Sequence, residues 1–205
     1  MKNLWNKSNA AACNSVLDLR VYSSRLLGAE PSLVLHGGGN TSVKADFTNV
    51  FSESVPALFV KGSGWDLRTI KAAGFPPVDL DYLRRLGALA DLSDTDMMRQ
   101  LRLALLDPAG PTPSVEAILH ALIPFKYVDH THADAVVTLS NTPNGTQLLQ
   151  DLFGDEVLIL PYTMPGFVLA RQVADATLNV DWGCLRGIVL LHHGIFTFHE
   201  EAEQS

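Results

Sequence analysis

The sequence predicts an α/β layered domain built on a central sheet, and three observations point there. Short apolar runs bounded by glycine or proline recur at Pro56–Val60, Glu156–Pro161 and Gly187–His193, as strands do. Stretches of helical spacing lie between such runs, so strands and helices intermingle along the chain. The 205 residues are 47% hydrophobic and 18% charged, which suits one domain with a full-sized core. No fixed-period repeat and no low-complexity linker interrupts it, so residues 1–205 are read as a single domain.

Composition excludes several classes of function. A formal charge of −7 without any Lys/Arg cluster argues against a nucleic-acid partner. No run of about eighteen apolar residues exists, and Met1-Lys-Asn-Leu-Trp5 lacks the apolar core of a signal peptide, so no membrane partner is expected. Cys13 and Cys184 stand far apart in no Cys-x-x-Cys pattern and read as reduced core or helix residues. A cytoplasmic enzyme acting on a small molecule is the expectation.

Taken in order, Ala11–Leu27 carries Val16, Leu19, Leu26 and Leu27 and stops at Gly28, which predicts an N-terminal helix with a glycine end. Ser32–His36 is a short strand signal running into Gly37-Gly-Gly-Asn40, a glycine turn followed by a second strand. Pro56–Gly64 repeats that arrangement. Asp79–Leu92 and Thr95–Leu106 read as helices, the second with Asp94 available as its cap. Pro111-Thr-Pro-Ser114 marks another helix start, with Ser114 as cap and Glu116 in the first turn. Tyr127–His132 is a strand, and Ala133–Leu139 is a strand or a helix. Asn141–Gly145 is a turn cluster, Glu156–Pro161 a buried strand, Phe167–Leu178 a helix and Gly187–His193 the last strand. The acidic Glu200–Ser205 looks like the opening of a further helix.

Chemistry concentrates at Tyr127-Val-Asp-His-Thr-His-Ala-Asp134. Side chains alternate along a strand, so His130 and His132 point to one face. Two neutral imidazoles there are two of the three ligands that a catalytic zinc ion needs; the plain alternative is two ordinary histidines at a strand edge. His193, which ends an apolar run just before Gly194, is the best-placed third ligand. The glycine turns at 37–39 and 62–64 bring backbone N–H groups close to an anion, with Asn40, Thr41, Ser42 and Ser63 adding donors. Neither fits a Walker A or dinucleotide pattern, and each is also compatible with a plain hairpin turn. Glu116 is either a carboxylate favoured by a helix dipole or a general acid/base beside the metal. His120, four residues on, reads as a packing residue.

His-Gly-Gly-Gly-Asn-Thr-Ser (36–42), Lys-Gly-Ser-Gly (61–64), Pro-Ser-Val-Glu (113–116), His-Thr-His-Ala-Asp (130–134) and His-His-Gly (192–194) together resemble the class II aldolase/adducin family, from about Leu33 to Phe198. That family includes fuculose- and rhamnulose-1-phosphate aldolases and ribulose-5-phosphate 4-epimerase. The greatest similarity is to the aldolase portion of bifunctional aldolase/short-chain dehydrogenase proteins. The resemblance implies a three-layer α/β/α domain with a mostly antiparallel sheet. It implies a Zn2+ cofactor held by His130, His132 and His193, with Glu116 as catalytic acid/base. It places Asn40, Ser63, Gly64 and Ser114 around the phosphate of a sugar phosphate. It further implies a homo-oligomer, commonly a tetramer, and a chain that continues beyond Ser205. Val115 departs from the second serine of several aldolases and removes one hydroxyl from the phosphate site. Two alternatives share the resemblance: an epimerase, which has Asp where Glu116 stands here, and an adducin-like binding module, which lacks the full metal set.

Overall fold

The computed structural model describes residues 2–205. Two helices lead, α1 (Lys7–Ala11) and α2 (Val16–Gly28), capped by Asn6 and Ser15, whose side chains accept from the N–H groups of Asn9 and Asp18. These caps satisfy donors that a first turn leaves free, and they explain why the expected single helix from Ala11 begins instead at Val16. Gly28 serves packing rather than a left-handed stop, since a Cβ there would lie 2.2 Å from the Arg68 nitrogen. Ser32–His36 is a turn and not a strand: Leu33 and Gly38 donate to the nearby carbonyls of Glu30 and Leu35. Its apolar residues anchor the turn in separate clusters instead of pairing with a neighbour.

Then follow β1 (Asn40–Thr48), β2 (Ser54–Val60), β3 (Pro77–Asp79), α3 (Leu80–Gly87) and α4 (Asp94–Leu103). The cap of α4 is Ser93, which accepts from Asp96 N–H; Asp94, the expected cap, instead accepts from the N–H of Phe167. Next come α5 (Ala117–Leu122), β4 (Tyr127–Thr131), α6 (Asp134–Ser140) and α7 (Gly145–Phe153). The ambiguous run after His132 is thus helical, and the turn cluster at 141–145 leads into a helix the spacing did not reveal. The chain ends with β5 (Val157–Leu160), α8 (Phe167–Ala176), β6 (Gly187–Leu190) and β7 (Gly194–His199). The run from Gly187 is therefore not the last strand, because it stops at Leu190 and returns through a tight turn. Glu200–Ser205 is a turn rather than a helix, and Ser205 Oγ donates to Asp129 Oδ2 at 2.5 Å.

The seven strands lie in the order β3-β2-β1-β4-β7-β6-β5, antiparallel except for the β5–β6 pair. β5 is an edge strand, with Leu158 and Ile159 only half-buried, not the fully buried strand expected. Helices α3, α4, α5 and α8 cover one face over Leu58, Val60, Val128, Ile188, Phe196 and Phe198. Helices α2, α6 and α7 cover the other over smaller clusters, giving three layers. Neither cysteine is in a core: Cys13 is half-buried and Cys184 exposed.

Strand β1 organises both layers through its period-two alternation. Asn40, Ser42 and Lys44 all turn to the α5 side: Asn40 Nδ2 donates to Ser114 Oγ, Ser42 Oγ meets His120 Nδ1 at 2.8 Å, and Lys44 Nζ donates to the carbonyls of His120, Ile123 and Phe125. Thr41 turns the other way and meets Ser24 of α2 at 2.8 Å. His120 is fully buried, as a packing residue should be.

Candidate metal centre and substrate cleft

His130 sits in β4 with Asn40 of β1 on one side and Phe196 of β7 on the other. His132 lies just beyond the end of that strand, and His193 in the turn between β6 and β7. One ring nitrogen from each lies within 4.8 Å of the others, and His130 Nε2 is 3.3 Å from His193 Nε2. His192, at φ 60, turns outward to Asn141 Oδ1 at 2.9 Å, so it is His193 that joins the cluster, by turn geometry rather than the strand alternation expected. Gly194 is required for the approach, since a Cβ there would meet Thr131 O at 2.3 Å and His130 Cε1 at 3.2 Å.

The imidazoles are prepared as neutral ligands. Burial, followed by the neighbouring His132, pushes His130 down to about 3; burial and His130 push His193 down to about 4; burial also lowers His132. His130 Nδ1 lies 3.1 Å from the Ile195 carbonyl, an acceptor that holds the proton there and leaves the Nε2 lone pair facing the cleft. Phe196 stacks on the same ring at 4.2 Å and prevents it from rotating. Glu116 Oε1, buried without a hydrogen-bond partner, lies 3.7 Å from His130 Nε2. Three converging imidazoles beside an unpartnered buried carboxylate oxygen fit a divalent cation.

Glu116 stands one residue ahead of α5, at its cap position, rather than inside the first turn. Ser114 shapes that turn: its Oγ accepts from Glu116 N–H at 3.2 Å and its carbonyl from Ala117 N–H at 3.0 Å. Asn40 Nδ2 reaches Glu116 Oε2 at 3.4 Å. Burial raises the carboxyl pKa, against the opposing pull of His193, Asn40, His132 and Lys61.

Residues 37–40, 61–64 and 114–116 enclose, with the three histidines and Pro165, a cleft of about 330 Å³. Of the residues singled out in the sequence, Asn40, Ser63, Gly64, Ser114, Glu116, His130, His132 and His193 reach one cavity, whereas Thr41 and Ser42, expected to add donors there, are buried against Ser24 and His120 and do not line it. The N–H groups of Gly62 and Ser63 are spent on the carbonyls of Gly74 and Thr112, and the Ser63 hydroxyl reaches the Pro113 carbonyl at 3.5 Å, which leaves the Gly64 N–H unengaged among the described residues. Sequence reasoning missed Lys61. Its buried Nζ donates to the carbonyls of Gly37 at 2.7 Å and Gly39 at 3.2 Å and so ties the two glycine loops together. A lone lysine closing an apolar strand, directly before Gly62-Ser63-Gly64, was the available signal.

A seven-stranded sheet layered by helices, with this histidine cluster beside glycine loops, defines a class II aldolase-type domain. The chain matches the class II aldolase and adducin N-terminal domain over residues 19–205 and belongs to that family. Among solved structures it is similar to the N-terminal class II aldolase domain of a conserved protein from Thermoplasma acidophilum, at 37% identity and a TM-score of 0.90 over 100% of this chain and 92% of that one. It is 34% identical over 203 residues to a Bacillus subtilis (strain 168) protein named uncharacterized oxidoreductase YuxG. That match covers 99% of this chain but 29% of the relative, so the chain spans less than a third of that relative's length. An L-fuculose-1-phosphate aldolase from Thermus thermophilus shares the fold, with a TM-score of 0.52 at 18% identity over 90% of this chain and 82% of that one. Among the described residues no helix is long and apolar enough to cross a membrane.

Proposed function

We propose that this domain is a zinc-dependent aldolase, cleaving a ketose 1-phosphate to dihydroxyacetone phosphate and an aldehyde. One observation carries the reading: a buried carboxyl, Glu116, stands 3.7 Å from a histidine nitrogen that shares one small cavity with two more imidazoles and two glycine loops. Family membership supports a divalent metal and aldolase-type chemistry. Zinc held by His130, His132 and His193 as neutral imidazoles would keep its double charge and would supply Lewis acidity toward a substrate carbonyl.

The residues of the chain do the rest. Glu116, its carboxyl pushed above the usual carboxylate range by burial, is a stronger base than an exposed glutamate, which suits proton transfer at the carbon of the bond that breaks. Asn40 holds that carboxyl and Ser114 in place, and with Ser63, Gly64 and Ser114 it surrounds the phosphate. Binding energy gathered there orients the reacting carbons. Lys61 is engaged with two carbonyls, so it suits loop support better than Schiff-base chemistry. Val115, exposed in the cleft lining, and Met164, exposed next to the lining residue Pro165, suit coverage by a neighbouring subunit of a cytoplasmic homotetramer.

The test pairs elemental analysis with a panel of ketose 1-phosphates, coupled to a dihydroxyacetone-phosphate reductase. Wild type should carry zinc and release triose phosphate. Glu116→Gln should retain zinc and lose roughly 10²–10⁴-fold in turnover. Unchanged turnover in the variant removes Glu116 from the mechanism. An epimerised sugar without triose phosphate replaces cleavage by epimerisation.

A further inference from the structure

The helix that lies behind the histidine strand has an inverted interior. The buried residues of α2 are Arg20, Ser23 and Ser24, all polar, while its apolar Val16, Leu17, Leu19 and Val21 are only partly buried against the neighbouring clusters, where a helix on a sheet ordinarily buries an apolar stripe. Arg20 is 0% exposed. Its guanidinium spans two strands: it pairs with Asp129 of β4 at 2.7 Å and donates to the Ser42 carbonyl of β1 at 3.3 Å. Nε donates to Ser24 Oγ at 3.1 Å, Ser24 in turn meets Thr41 Oγ1 of β1 at 2.8 Å, and the cation lies 5.7 Å over the Tyr127 ring of β4.

Energetics do not explain this arrangement. Desolvating two charges costs about what their attraction returns, and well-packed apolar residues of similar volume are often as stabilising. Geometry does. Thr41 faces Asp129 across the β1–β4 ladder, so Arg20 grips the two strands at adjoining positions. Those strands carry Asn40 and His130, and the ladder to β7 ends at Thr131, leaving His132 to follow wherever β4 points. A one-residue slip of β4 would exchange its faces and send His130 to the α2 side. It would also carry the Asp129 carboxylate away from its cation.

We propose that Arg20 is a positioning residue, a buried clasp that sets the register and direction of the histidine strand against β1 and thereby the geometry of the metal ligands. This rests on the metal-site reading above. A planar fork is needed, because it alone serves both strands at once; a lysine ammonium is a single point of donation.

The experiment measures zinc affinity of the full chain by chelator competition, and the visible spectrum of its Co2+ form, well below the melting temperature. Arg20→Met/Asp129→Leu keeps the volume and removes the clasp. It should melt within a few degrees of wild type yet bind zinc about tenfold or more weakly, with an altered Co2+ spectrum. Arg20→Lys, which keeps the charge, should show the same direction of change and serves as the readout if the double variant fails to fold. Wild-type zinc affinity and spectrum in a folded variant overturn the clasp, whatever happens to melting temperature. His193→Ala is the control: if it binds zinc as wild type does, the metal site itself is wrong and the clasp falls with it. If only the control loses zinc, the metal site stands and the clasp alone is rejected.

Discussion

The two glycine loops of the cleft look alike in sequence and differ in what holds them. Gly38 and Gly39 are pressed against the histidine wall. A Cβ on Gly38 would sit 2.8 Å from Leu35 O and 3.4 Å from His132 Nδ1, and one on Gly39 2.4 Å from Val34 Cγ1 and 3.0 Å from His130 O. Gly64, at φ +84, has nothing within 4 Å of where its Cβ would be. Both loops turn through left-handed glycines, Gly37 and Gly39 at φ +73 and +67 and Gly64 at φ +84, but only in the first must the backbone also pass close to the histidines. One residue type thus answers a conformational demand in both loops and a steric one only beside the histidines.

Breaking the metal end should have the largest effect. His193→Ala is expected to abolish zinc retention and cost more than about 100-fold in turnover, beyond the loss typical of a residue that only supports a ligand. Metal content and the coupled assay check it together. Gly39→Ala should come next, lowering stability by about 2 kcal/mol or more, since left-handed backbone alone costs about 1–2 kcal/mol and the clash adds to it. Chemical denaturation measures this, and a fall in zinc affinity should accompany it.

Acid should loosen the metal end before the anion end. In the metal-free protein His130 and His193 titrate at about 3 and about 4, well below the ordinary 6.5. The unfolded chain therefore takes up their protons first, and stability is lost as pH falls below ~6.5 and onward through the depressed values. Glu116, with its pKa raised, acts in the opposite direction above its ordinary 4.5 and offsets part of this. Melting temperatures of apoprotein should fall between pH 7 and pH 5, and His193→Ala should fall less steeply. A wild-type profile flat over that range would contradict the buried, neutral histidines.

The smallest effect belongs to the open loop. Gly64→Ala should cost about 1 kcal/mol of stability, from backbone strain alone. It should raise KM for a phosphorylated substrate more than it lowers kcat. Equal destabilisation by Gly39→Ala and Gly64→Ala would erase the distinction between the loops.

Much of this site is legible in the sequence because its signals are local. His-x-His at strand spacing puts two imidazoles on one face, and glycines before Asn40 and after Lys61 mark turns. Signals that depend on a distant partner mislead. Ser32–His36 has the composition of a strand but no strand beside it. Asp94 resembles a cap and serves a different helix. The alternation Ile195-Phe-Thr-Phe-His199 is present, yet β7 stays hidden because the apolar run before it has the look of a final strand. Arg20 gives no local sign of its burial, since a charged residue reads as surface until its acceptors are known.

By itself, then, the sequence determined the alternation of strands and helices, the neutral-ligand chemistry of paired histidines and the family motifs that tie the segments together. Only the tertiary structure decided that His193 arrives through a turn, that Glu116 is buried beside His130, and that Arg20 spans two strands from behind. The reason is physical. Periodicity and turn chemistry act over a few residues, whereas burial, pKa and coordination depend on groups that chain folding brings together from more than a hundred residues apart, as Arg20 and Asp129 are.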